Sequence, residues 1–362
     1  MKKVISIVLV LALVLMMFVA CKSGEETSPS VSASTSVVAS EGSASSYAKR
    51  YSIGCIYSEI TGDFWGIVYN GCMKALTELS EYGIKGYCIA PANSSDHTLQ
   101  MELIDAAILK KVDGITLSPS NADSIGAYVT DTFGDKEGMF PIIVIDRSLN
   151  TTSKWRVSQV MADTWTMGQE CGKYAIEATG GKGKYFLYGI SPLNTNWANR
   201  SLGAMDYISK NAKDLVNGYP SGDGVWWGSQ STAELSFQWI QDQCTSHPDD
   251  VLVFITSTEA GTNNVIAATG ELSARKAGAE IYIVGYDFSM TGYTYLMEGS
   301  IYAAVGQNPY MMGYTSTYTL INYLETGEVE EFVAVPHCIV TKDNMQTAEV
   351  QAYFKSMNLD IK

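Results

Sequence analysis

From residue 51 onward the chain alternates short runs rich in Val, Ile and Tyr with longer stretches whose apolar residues recur at helical spacing. Ser52–Tyr57, Gly86–Ala90, Gly114–Leu117 and Pro141–Ile145 read as strands, each bounded by Gly, Pro, Asp or Ser. Between them, Phe64–Tyr82, Asp96–Lys111 and Ala122–Phe133 read as amphipathic helices. The grammar restarts after Trp155. Tyr185–Tyr188, Leu215–Tyr219, Val251–Ile255 and Tyr282–Val284 are strand candidates, separated by helices near Thr166–Ala178, Asn199–Asn211, Thr232–Cys244 and Gly261–Lys276. A further strand is expected at Tyr302–Val305. Strand–helix alternation implies parallel sheets covered on both faces. Two successive sets predict an α/β fold of two similar doubly wound lobes, although no residue-level repeat is visible.

The first twenty-one residues follow a different pattern. Lys2 and Lys3 precede an unbroken apolar run from Val4 to Ala20, and Cys21 follows. A basic start, an apolar middle and small residues before a cut site describe a secretory signal. Phe18-Val19-Ala20-Cys21 resembles the lipoprotein cleavage site, with phenylalanine where leucine is usual, and this implies cleavage after residue 20 and lipidation of Cys21. The alternative is a retained transmembrane helix, but about 17 apolar residues is the lower limit for a span and no positive cluster follows. Lys22 to Ser46 is dominated by Ser, Thr, Glu, Val and Ala without an aromatic residue, so residues 21–47 read as a tether with too little apolar surface to fold. The expected location is the outer face of a bacterial cytoplasmic membrane.

Composition narrows the function classes. The chain is 46% hydrophobic and 17% charged, with a formal net charge of −14 and no basic stripe. Nucleic acid is therefore a poor partner. Besides Cys21 there are six cysteines, most of them inside apolar segments such as Tyr51-Ser52-Ile53-Gly54-Cys55-Ile56-Tyr57. Buried thiols are the favoured reading over structural disulfides. No CxxC occurs and His97, His247 and His337 stand apart, so no metal site or cofactor is expected. The sequence carries no GxSxG elbow, GxGxxG after a strand, HExxH or P-loop. The enzyme alternative rests on Asp146 and Asp287 acting as a carboxylate pair on a glycoside.

Ligands of open parallel sheets bind beyond the carboxyl ends of the strands, and two lobes facing each other share one cleft. At those ends stand Thr61-Gly62-Asp63-Phe64-Trp65, Asp146-Arg147, Asn194-Thr195-Asn196-Trp197-Ala198-Asn199-Arg200, Trp226-Trp227, Ser257-Thr258-Glu259, Tyr286-Asp287 and Gly306-Gln307-Asn308. Planar groups with two contacts each suit neighbouring hydroxyls, and aromatic rings suit the C–H faces of a sugar.

Five of these pieces resemble the type I periplasmic binding proteins for sugars, the ribose- and galactose-binding group that serves ABC transporters. They are Gly62-Asp63-Phe64-Trp65, Pro141-Ile142-Ile143-Val144-Ile145-Asp146-Arg147, the helix start Arg200-x-x-Gly203, Val284-Gly285-Tyr286-Asp287 and Gly306-Gln307-Asn308-Pro309. The resemblance spans residues 50 to 342. It implies ring contacts from Phe64 and Trp65, and hydroxyl contacts from Asp146, Arg147, Asn194, Asn196, Arg200, Ser257, Asp287 and Gln307. It also implies a stacking face from Trp227 or its neighbour Trp226. Thr256-Ser257-Thr258-Glu259 departs from the family's usual Asn-Asp pair, which puts a ribose or galactose preference in doubt. The implied partners are a monosaccharide, a membrane permease and the membrane itself through the anchor, for a chain acting as a monomer. A sensor kinase or chemoreceptor is the alternative partner, with a sugar, furanone or polyol as signal. The chain is expected to cross between lobes near Ala162-Asp163, Gln307-Asn308 and His337–Thr341. One lobe is then 48–161 with 308–337 and the other 162–307 with 338–362.

Overall fold

The structure is a computed structural model, and it describes residues 47–61, 63–270, 280–359 and 361. The predicted signal, Cys21, the tether up to residue 46, Gly62 and the last part of the predicted helix Gly261–Lys276 lie outside the described residues.

In the first half, β1 (Ser52–Ile56), β2 (Lys85–Ile89), β3 (Gly114–Leu117), β4 (Ile142–Ile145) and β5 (Arg156–Ala162) alternate with α1 (Asp63–Ser80), α2 (His97–Leu109) and α3 (Ala122–Thr132). The second half carries α4 (Thr164–Thr179), β6 (Gly183–Gly189), α5 (Thr195–Asn211), β7 (Leu215–Asn217), β8 (Val225–Trp227), α6 (Ala233–Ser246), β9 (Leu252–Thr256), α7 (Glu259–Gly270), β10 (Ile281–Tyr286), α8 (Met290–Glu298) and β11 (Ala303–Gly306). The chain closes with α9 (Pro309–Thr326), β12 (Phe332–Val335), β13 (Cys338–Thr341) and α10 (Ala348–Ser356).

The strands form two sheets of one design. The first runs β12-β5-β4-β3-β1-β2 and the second β13-β11-β10-β9-β6-β7, with β8 also paired to β6. Every pairing is parallel except β11 with β13. Runs such as Ile142–Ile145 are buried on both faces, as strands covered by helices on either side must be. The expected two-lobed α/β architecture is therefore present.

Two boundary expectations change. The helix expected from Asn199 starts at Thr195, because the Asn194 side chain accepts a hydrogen bond from Trp197 N and caps it. Trp226-Trp227, read as a loop, forms β8 beside Tyr188-Gly189. The elements after Gln307 and strand β5 had not been anticipated. In β5, Ser158 and Gln159 are buried, which hides its apolar alternation.

The duplication extends to single residues. Helix α4 follows a strand of the first sheet yet packs on α5, while α9 follows a strand of the second yet packs on α1. Each pair meets through glycine. Gly71 is the ninth residue of α1 and Gly203 the ninth of α5, while Gly313 and Gly168 are each the fifth of their helices. A Cβ on Gly71 would lie 1.9 Å from Tyr310 O, and one on Gly313 2.0 Å from Val68 O. The other pair repeats this, at 2.5 Å from Trp165 O for Gly203 and 2.3 Å from Arg200 O for Gly168.

A buried amide sets the lip of the first sheet. Gln100 Nε2 donates to Tyr57 O (3.0 Å) and Ser118 O (2.9 Å), and its Oε1 accepts from Ser120 N (2.7 Å). It ties the carboxyl ends of β1 and β3 together at the switch point of the strand order, where ligands bind in such sheets. Gln100→Leu leaves those three backbone groups unpaired, and is expected to lower unfolding free energy by about 2–3 kcal/mol, measured by urea denaturation. An unchanged midpoint would show that the lip is held by other contacts.

Candidate functional site

Asp146 and Asp287 occupy matching places, one residue beyond β4 and one beyond β10. Both have left-handed backbone, with φ of 57° and 62°. Their N–H groups donate to the next strand, Asp146 to Val160 O at 3.0 Å and Asp287 to Val305 O at 2.9 Å. Aspartate tolerates this conformation better than most residues, and strain of this kind collects at functional sites. Each half of the fold thus presents a carboxylate from the same turn.

Arg200 lies near the first of them. It lies in the second turn of α5, is buried, and its Nη1 donates to Ser257 O at 2.8 Å. Its guanidinium lies 4.0 Å from the centre of the Tyr286 ring, a cation–π contact. Its Nε has no partner although buried, and neither has the Ser257 hydroxyl. Buried donors without partners are rare and call for an explanation.

Charge binds the group together. Burial raises the Asp146 pKa above the usual carboxylate value, Arg200 and Arg147 beside it pull it back, and Asp287 adds to the rise. Arg147 lies 5.2 Å from the centre of the Trp65 ring, and Phe64 meets Trp65 edge to face at 5.2 Å. On the other lobe Gln307 Nε2 donates to Asp287 Oδ1 at 2.8 Å, while Tyr353 OH donates to Gln307 O at 2.9 Å. The lobes touch where Asn196 Nδ2 donates to Asp146 O at 3.1 Å.

Beside this cluster opens a cavity of about 750 Å³, walled by Phe64 and Ile67 from one lobe and Glu259, Asp287, Met290 and Gln307 from the other. Its lining also includes Met357 and Leu359 of the C-terminal segment. Among the expected site residues, Phe64, Asp287 and Gln307 line it. Trp65, Asp146, Arg147, Asn196, Arg200 and Ser257 form the connected polar and aromatic group beside it.

Two expected residues are engaged elsewhere. Asn194 is spent on the cap of α5. Trp227 is buried, its ring lies on Gly189, and its N–H donates to Asp223 Oδ2 at 3.0 Å. Alternation along β8 sends Trp226 the other way, stacked on Trp239 with centroids 4.8 Å apart. Neither indole lines the cavity. The Tyr286 ring, the C-terminal wall and the Ser289 hydroxyl bonded to Glu259 escaped sequence reasoning. The Tyr286 signal was adjacency to Asp287 in a strand end, which alone says little.

A model of the periplasmic binding protein domain matches residues 53–328. The chain belongs to the periplasmic binding protein family. The family works outside the cytoplasm, and its members bind solutes rather than transform them. Among curated relatives, the D-apiose import binding protein of Paraburkholderia graminis is 24% identical over 71% of this chain and 78% of its own length. The ribose import binding protein RbsB of Bacillus subtilis is 23% identical over 93% of this chain and 98% of its own. The fold is shared with a periplasmic ribose ABC transporter protein from Conexibacter woesei at TM-score 0.70 and 17% identity, over 86% of this chain and 97% of that one. A solute binding protein from Agrobacterium vitis with bound D-fucose gives 0.64 at 24% identity, over 83% and 98%. Among the described residues, no helix of this binding protein is long and apolar enough to cross a membrane.

Proposed function

We propose that this binding protein captures a monosaccharide between its lobes and delivers it to the permease of an ABC transporter, held at the membrane by a lipid on Cys21. The observation that carries the reading is the presence of Asp146 and Asp287 in equivalent turns together with a buried arginine near Asp146 whose Nε lacks a partner. Two carboxylates accept from sugar hydroxyls, Arg200 and Arg147 donate to hydroxyl or ring oxygens, and the opposed charges leave the centre suited to a neutral polyol. Phe64 and Trp65 cover a C–H face of the ring. The names of the relatives, which concern apiose and ribose import, point to the same ligand class. The lobes move about the crossings near 162–163, 307–308 and 337–341, with the divisions 48–161 plus 308–337 and 162–307 plus 338–362. A single chain supplies the whole site.

The position after β9 sets which sugar fits. Where the family has an amide, this chain offers the buried Ser257 hydroxyl, and Glu259 is held by Ser289. A hydroxyl reaches less far and makes one directed donation, so the preferred epimer differs from that of a site with an amide. A thermal-shift panel of aldopentoses, aldohexoses, ketoses and inositols tests the proposal. A sugar at a hundred times its dissociation constant stabilises by about 2.7 kcal/mol. Silence across the panel would reject the monosaccharide reading.

Proton competition gives a second check. The carboxyl of Asp146 is raised by burial, so ligand-free protein gains stability on mild acidification and loses that contribution as pH rises through the raised pKa. A sugar donating to the carboxylate favours the ionised form. Affinity should therefore fall as pH drops through that same range, above the 3.9 of a free aspartate. Asp146→Asn should bind more weakly and lose this pH dependence in titration calorimetry. A parallel slope in the variant would place the titrating group elsewhere.

A further inference from the structure

Three cysteines of the first lobe converge beneath α1. Cys55 on β1 and Cys88 on β2 are direct neighbours in the parallel register, so their side chains leave the same face. Helix α1 runs back over that face, antiparallel to the strands as a crossover helix must. Its Leu76 sits on Gly86 so closely that a Cβ there would lie 2.2 Å from Leu76 Cδ2. One helical turn earlier on α1 is Cys72, and two residues further along β2 on the same face is Cys88. The antiparallel course brings these two together. Cys72 is buried in one apolar cluster with Cys55, and Cys88 packs against that cluster. The Cys72 thiol interacts with both neighbours.

We propose that Cys72 and Cys88 are the site of a disulfide that ties α1 to β2, with Cys55 remaining a thiol. All three are free thiols in this structure, but strand β2 is the edge of its sheet and Cys88 is only partly buried, whereas Cys55 is buried. An oxidant therefore reaches Cys88 and not Cys55. The oxidant is a thiol–disulfide exchange partner of the extracytoplasmic space, where such bonds persist. The Cys88 thiolate attacks the partner's disulfide and releases one of its thiolates. The neighbouring Cys72 thiolate then attacks Cys88 Sγ in the mixed disulfide and releases the other. The protein loses two thiol protons and two electrons, and the partner leaves as a dithiol.

Trypsin separates Cys88 from the other two, because no Lys or Arg lies between Tyr51 and Met73, while Lys74, Lys85 and Lys110 provide the cuts. Cys55 and Cys72 share the peptide 51–74, and Cys88 falls in 86–110. The full chain, secreted without reductant, denatured, alkylated and digested, should yield these two peptides joined, with Cys55 alkylated, and reduction should part them. Cys88→Ser should lose the link and melt at the temperature of reduced wild type, while Cys55→Ser keeps the link. All three thiols alkylated, or an internal loop within 51–74, overturns the assignment. Fragmentation of the joined pair shows whether the alkyl group sits on Cys55 or on Cys72, so the wild-type protein decides even if a variant fails to fold, and a Cys55–Cys88 link also overturns the assignment.

Discussion

Arg200→Met is expected to weaken sugar binding about a hundredfold while the ligand-free protein still folds. The guanidinium has one fixed bond, to Ser257 O at 2.8 Å, and a face resting 4.0 Å from the Tyr286 ring centre. The remaining donors of its fork, the partnerless Nε among them, are free for a ligand. A hydrogen bond to a charged group contributes about 1.5–3 kcal/mol. Two of them amount to at least about 3 kcal/mol, and 1.4 kcal/mol is tenfold in affinity. Methionine keeps the contact with Tyr286 but leaves Ser257 O unpaired and removes a positive neighbour from Asp146, whose pKa should climb further. Arg200→Lys keeps the charge without the planar fork. It cannot serve Ser257 O and a sugar oxygen together, so it should fall between wild type and Met. Isothermal titration with the sugar found in the panel gives the affinities, and urea denaturation gives the folding side. Affinity within threefold of wild type in the Met variant would remove Arg200 from the binding group.

The sequence exposed those parts of the fold whose signals are local. Short apolar strands and helical spacing marked most elements up to Val305, and polar residues just past apolar strands marked Asp146, Arg147, Asp287 and Gln307. Signals that depend on pairing stayed hidden. Trp226 and Trp227 look alike in a string, and only the alternation of β8 against β6 sends one to Trp239 and the other to Gly189. Asn194 resembles any polar loop residue until the helix it caps is seen to begin at Thr195. The repeat between the lobes was likewise invisible. It consists of a few residues in matching turns, such as Trp65 and Trp197 as the third residues of α1 and α5, and everything between has diverged.

Gly313→Ala and Gly168→Ala should both destabilise the protein, and only the second should also damage the site directly. Alanine within a helix gains up to about 1 kcal/mol over glycine from propensity, so a free surface glycine would improve on substitution. Neither of these is free. A Cβ at 313 would come within 2.0 Å of Val68 O, and at 168 within 2.3 Å of Arg200 O. Both neighbours are helix backbone, so the paired helices must move apart rather than a side chain turning aside. Overpacking of this kind costs about 1–3 kcal/mol or more, and a net loss of about 2 kcal/mol is expected in each variant by urea denaturation. The two differ in what is pushed. At 313 the strain falls on Val68 in the second turn of α1, whose side chain is buried in the core and not in the site, and affinity should change by less than about threefold. At 168 it falls on the carbonyl of the residue whose guanidinium holds the cleft, and a displacement of 1 Å there can forfeit about a hundredfold. Equal losses of stability with unequal losses of affinity would show that the glycine contacts of α4 and α5 position Arg200. Equal losses of affinity would mean that the helix pairs act on the cleft only through the stability of their lobes.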